Sequence, residues 1–183
     1  MIVVEPPSSG GFPALDRAGL SRFLTRARKA AALNGAVTVL LADDVRLKSL
    51  NRDFRRKNKP TDVLSFPAGE NGEGVAGDLA ISVETAARQA AEHGHALDDE
   101  LRILVLHGVL HLAGYDHEVD AGEMRALESE LRAKLKLPVG LIERTLPVAA
   151  KKSSAKAKKA ATPARKAVKK SAAKKSVAKR PLR

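Results

Sequence analysis

The amino-acid sequence predicts an α+β fold: a single compact domain over residues 1–148, followed by a disordered basic tail over residues 149–183. Three observations carry this. Short apolar runs alternate with longer segments whose apolar residues recur every three or four positions, so strands and helices are interspersed before helices run consecutively. A body of that length is the common size of one domain and is able to bury a real core. The charge then breaks sharply: residues 149–183 hold fourteen of the 33 Lys and Arg and no acid, leaving 19 bases against 21 acids in the body. The body is therefore near −2 and the tail +14.

Taken in order, Ile2 to Glu5 is a strand stopped by Pro6 and Pro7. A helix follows from about Ala14 to Leu33, where Leu15, Leu20, Phe23, Leu24, Ala27, Ala30 and Ala31 share a face and Asn34-Gly35 supplies the stop. Ala36 to Leu41 reads as a buried strand, after which Asp43 or Asp44 caps a short helix through about Phe54. Arg55 to Lys59 is then a basic loop. Val63, Leu64 and Phe66 form a short strand that Pro67 ends, which places it near an edge. Across the turn AGENGEGVA (68–76) it pairs as an antiparallel hairpin with Asp78 to Val83. It reads as a plain turn rather than a phosphate cradle, because it lacks a GxGxxG pattern and a Walker lysine, carries Glu70 and Glu73, and leads into a strand. Glu84 to Glu92, Asp98 to Leu112 and Asp120 to Leu137 are three helices, the second opened by acids that suit its positive end. The order is βαβαββααα.

The chain has no Cys, which excludes disulfides and cysteine metal sites. MIVVEPPSSGGF has no basic leader pattern, and no segment offers the roughly 18 uninterrupted apolar residues of a membrane span. The expectation is a cytoplasmic protein without membrane contact. From residue 149 the repeated KK and AKK units have no periodic apolar face, so the tail is expected to be disordered and to contact nucleic acid.

Three of the five histidines lie in HGVLHLAGYDH, at His107, His111 and His117. His107 and His111, four apart on a helix, project from one face with Cβ atoms about 5–6 Å apart and can converge on one ion. Gly114 breaks the helix, so His117 can return as a third ligand. Three neutral imidazoles with an open fourth position describe a catalytic rather than a structural metal site. Left without a metal, two histidines in an otherwise apolar turn would each need a buried partner. His93 and His95 read instead as a solvated helix end. Asp116 is either a partner that orients a ligating imidazole or a turn residue. The spacing is that of metalloproteases reading HExxHxxGxxH, but the glutamate that would serve as their base is Gly108 here, so that activity is not expected.

HGVLHLAGYDH resembles the signature of the YbeY family of bacterial metal-dependent endoribonucleases. Leu50-Asn51 with Phe54-Arg55 and KPTDVLSFP (59–67) is similar to a second block of that family, and GDLAIS (77–82) to a third. The resemblance implies a mixed four-stranded sheet packed with helices, one Zn2+ ion, and single-strand-specific RNA cleavage in 16S rRNA 3′-end maturation and ribosome quality control, with ribosomal RNA and the small ribosomal subunit as partners. Carried over, His107, His111 and His117 are the metal ligands and Arg55 is the catalytic arginine. The next position, often glycine in the family, is Arg56. The chemistry agrees: such a metal brings the pKa of water toward roughly 7, and a planar guanidinium matches two phosphate oxygens. A different class, a non-catalytic RNA-binding ribosome assembly factor with a structural metal, would be favoured by a fourth protein ligand, since structural zinc usually has four.

Overall fold

A computed structural model describes residues 1–69 and 73–138 of the chain; the basic tail, and with it the expected disorder, lies outside the described residues. The first strand, β1 (Ile2–Val4), gives way to α1 (Arg17–Ala30), whose start is fixed by the Asp16 carboxylate accepting the Gly19 N–H. This helix stops before the expected Leu33. Ala32 takes a positive φ of 53° and the Leu33 N–H donates to the Arg28 carbonyl, closing the last turn ahead of Asn34-Gly35. Next come β2 (Ala36–Ala42) and α2 (Asp44–Arg55). Asp43 is the cap of α2, accepting from the Arg46 N–H, and Asp44 instead ties the helix start to a later element. Then follow β3 (Val63–Pro67), β4 (Val75–Ser82), α3 (Val83–His93), α4 (Leu97–Leu112) and α5 (Glu123–Leu135). The last helix begins three residues later than expected, because Gly122 has φ 105° and the Asp120 carboxylate accepts the Gly122 and Met124 N–H groups from outside the helix.

The sheet is four-stranded and mixed, in the order β1-β2-β4-β3. β1 and β4 run parallel to β2, with Val39 opposite Leu79, while β3 lies antiparallel on β4 at the edge, with Leu64 opposite Ala80. The expected hairpin is therefore present, as is the α+β class. Alternate strand residues divide between two layers. Val37, Val39, Leu41, Leu79 and Ile81 join the main core with α1, α4 and α5, whereas Ala42, Leu64 and Ala80 pack with Leu47 of α2 on the opposite face. The sheet is thus covered by helices on both sides.

The centre of the main core is α4, buried from Glu100 to Leu112 at every position except Arg102 and His111. A helix apolar around its circumference must be surrounded, and α4 is held between the sheet and helices α1, α3 and α5. Gly108 is a point of close approach: a Cβ there would lie 2.7 Å from Leu79 Cδ2. Packing therefore draws the His107–His111 turn tightly against the sheet. Among the described residues, no helix is long and apolar enough to cross a membrane.

Candidate metal centre

The last turns of α4 carry His107 and His111 on one face. Gly114, at φ 91°, reverses the chain beyond the helix, a conformation that costs a residue with a Cβ roughly 1–2 kcal/mol. The Tyr115 N–H closes the reversal on the Leu110 carbonyl, and His117 is brought back toward the helix. The three imidazole centroids form a nearly equilateral triangle with sides of 4.8, 5.2 and 5.4 Å. One nitrogen from each ring can be chosen so that all lie within 4.8 Å of one another, and together they could hold a metal ion.

The donor chemistry fits such an ion. His107 is buried, and its Nδ1 donates to Glu128 Oε1 at 3.1 Å; a carboxylate oxygen only accepts, so the proton sits on Nδ1. Nε2 of His107 is then left with a lone pair, directed at the Nε2 of His111 3.1 Å away. Two imidazole nitrogens on one tetrahedral ion, with bonds of about 2.0–2.1 Å, would be about 3.3 Å apart. Burial, and after it the neighbouring His107 and His117 rings, push His111 down to about 4, keeping it in the neutral form that binds a metal.

These rings line an open cleft of about 970 Å³ whose other wall is built from the end of α2, the loop after it, β3 and the end of α3. Arg55 is part of that wall. It is the last residue of α2 and not part of the basic loop, because Arg56 terminates the helix in the left-handed conformation with φ 58°. That backbone explains why glycine suits position 56, and it leaves Arg55 exposed at a rigid helix end. Asp116 accepts the Glu118 N–H, a turn role, and its charge also favours protonation of the His111 ring.

The expected solvated pair at His93 and His95 needs correction. His95 is not a solvated helix end: its side chain is 11% exposed and its Nε2 pairs with the fully buried Glu100. His93 does sit exposed in the last turn of α3, but it belongs to the wall of the same cleft. Pattern in the sequence also failed to single out Glu128. The signal was present in α5, where the buried residues Met124, Glu128, Leu131 and Leu135 form one stripe with a glutamate at a core position. Gly108 is the other position the geometry explains. It faces Leu79 of the sheet, so a glutamate could not replace it without displacing the buried Leu79 side chain.

Comparison with known proteins agrees with the three sequence blocks. The family model described as Endoribonuclease YbeY matches residues 17–136. The chain belongs to the YbeY family. Proteins named Endoribonuclease YbeY are similar to it over most of their length. The one from Koribacter versatilis is 59% identical over 159 residues, covering 87% of this chain and 99% of that protein. The one from Solibacter usitatus is 54% identical over 130 residues, 71% of this chain and 86% of that protein. The one from Aquifex aeolicus is 47% identical over 107 residues, 56% of this chain and 71% of that protein. The YbeY match spans α1 to α5 and takes in Arg55 and the three histidines.

Proposed function

We propose that this YbeY-family chain is an endoribonuclease that cleaves single-stranded RNA, with His107, His111 and His117 holding one Zn2+ ion and Arg55 as the catalytic residue. The observation that carries the reading is the triangle of imidazoles in the wall of an open cleft, with an exposed arginine on the same cleft. The relatives' name, Endoribonuclease YbeY, supplies the substrate class. Three imidazoles suit zinc, and the histidine, cysteine and carboxylate group found among the described residues has three members rather than the four of a closed structural site. That favours catalysis over the assembly-factor reading.

When bound, the ion supplies Lewis-acid charge to the scissile phosphodiester and acidity to water. The chain's own residues do the rest. Glu128 holds the His107 ring so that Nε2 faces the cleft, and burial keeps His111 unprotonated. Arg55 can place two parallel N–H groups on the non-bridging phosphate oxygens, where negative charge grows as the phosphorus becomes five-coordinate. Its place at the end of a helix, not in the loop, fixes the backbone from which that fork extends. Arg56, Lys57 and Lys59 follow it and attract the flanking phosphates.

On the same reading the RNA belongs to the small ribosomal subunit, and the work is 16S rRNA 3′-end maturation and ribosome quality control in the cytoplasm. Residues 1–148 carry the chemistry, and the +14 tail of residues 149–183 adds sequence-independent attraction to RNA. The experiment is metal analysis of His107→Ala, His111→Ala and His117→Ala alongside cleavage of single-stranded and duplex RNA. Each variant should lose metal and cleavage together, and the unaltered protein should spare the duplex. Full metal occupancy in any one variant would remove that residue from the ligand set.

A further inference from the structure

Phe54 is 66% exposed. Burying such a side chain is worth about 1.5–3 kcal/mol, so its exposure forgoes a large stabilisation. The chain has four Phe, one Tyr and no Trp, and among the described residues Phe54 is the one aromatic that is largely exposed. It is not loose. Its ring meets that of Phe66 on β3 with centroids 5.0 Å apart and planes at 71°, an edge-to-face contact. Whichever ring supplies the edge in that geometry, at least one face of Phe54 is not covered by Phe66. Both rings line the cleft that holds the three histidines, and the next residue along the chain is Arg55.

We propose that Phe54 is a binding residue that stacks on one unpaired nucleobase of the RNA beside the scissile phosphate. This deepens the endoribonuclease reading and rests on it. An aromatic face accepts any base, because every base has a π-face, and such stacking requires no hydrogen-bond readout. The neighbouring guanidinium and ammonium groups hold the phosphates on either side of that base. A base inside a duplex is sandwiched between its neighbours and cannot present its face to Phe54, so the ring contributes to preference for single strands as well as to affinity. Phe66 acts at one remove, fixing the plane of Phe54 and leaving less side-chain freedom to be given up on binding.

The test is a cycle between protein and RNA, using a short single-stranded oligonucleotide made non-cleavable by 2′-O-methyl groups, and the same oligonucleotide with one abasic position moved stepwise along it. At one position the abasic change should weaken binding to the unaltered protein by about 5- to 150-fold, the range of one stacked base. Phe54→Ala should weaken binding of the complete oligonucleotide by a similar factor and be indifferent to the abasic change at that position. On a cleavable version Phe54→Ala should raise KM and leave kcat within about twofold. Phe54→Trp should retain binding and, as the sole tryptophan in the chain, lose fluorescence when RNA binds. Equal abasic penalties in the unaltered protein and Phe54→Ala, at every position, would overturn the stacking while leaving the nuclease reading intact. Failure of the unaltered protein to bind or cleave single-stranded RNA would overturn the nuclease reading and the stacking with it.

Discussion

Replacing Glu128 by glutamine keeps the side-chain volume and removes the charge that faces His107. Glu128 is 1% exposed on α5 and His107 4% exposed on α4, so their 3.1 Å hydrogen bond is shielded from water. A bond to a charged acceptor is about twice as strong as its neutral counterpart, and the amide can also turn its NH2 toward Nδ1 and favour the wrong tautomer. Carboxylates that orient a ligating imidazole are worth about 10- to 100-fold in metal affinity, or about 1.4 to 2.7 kcal/mol. Glu128→Gln should therefore bind Zn2+ that much more weakly, measured by competition with a chromophoric chelator, and retain its circular dichroism. Glu130→Gln, at an exposed position on the same helix, should not change affinity. Unchanged zinc affinity in a folded Glu128→Gln protein would refute the argument that this carboxylate prepares His107.

Arg55→Ala should keep metal and fold while cleavage falls by about 100-fold or more, and Arg55→Lys should not restore it, because a point charge lacks the planar fork; a similar loss in Arg56→Ala would mean that only diffuse charge matters. Asp44 couples α2 to α3: burial raises its carboxyl, but hydrogen bonds from the Ser82 and Thr85 hydroxyls and from Arg88 outweigh this and hold it below the ordinary carboxylate range. The stability this contributes is complete above about pH 4 and is lost as pH falls through the depressed value, so Asp44→Asn should cost on the order of 1–2 kcal/mol in urea unfolding at pH 7. That difference should shrink below pH 4, and one that grew on acidification would contradict the sign. Deleting residues 149–183 removes fourteen positive charges, and the slope of log affinity for RNA against log salt should flatten by about 0.7 for each phosphate that the tail had neutralised. An unchanged slope would show that the tail does not touch RNA.

The histidine triangle was legible because its parts are local. Two histidines one helical turn apart and a glycine before the third specify a convergence within eleven residues, and the structure places Gly114 at the required positive φ. The antiparallel pairing of β3 with β4 was similarly local, being set by two strands around a glycine-rich turn. What pattern reading did not reach depends on distant contacts. Glu128 lies 21 residues from His107 on another helix, and only the packing of α5 on α4 brings them together. His95 looked solvated because its partner, Glu100, belongs to the first turn of the next helix, where an acid is already accounted for by the helix dipole. Helix ends moved by a few residues where backbone conformation overrode side-chain pattern, as at Ala32 and Gly122. The role of Phe54 could not be read either, since a single apolar residue near the end of a helix gives no sign of whether it is buried.

The central claim is that three histidines hold the ion on which RNA cleavage depends. It is tested most directly by stripping metal from the intact protein with a chelator, restoring it with Zn2+, and following single-turnover cleavage of a single-stranded RNA in parallel with His111→Ala. One zinc per chain, cleavage lost on stripping and regained on addition, and neither zinc nor cleavage in His111→Ala is the predicted result. Cleavage that persists at the full rate in the stripped protein, or zinc retained at one per chain in His111→Ala, would contradict it.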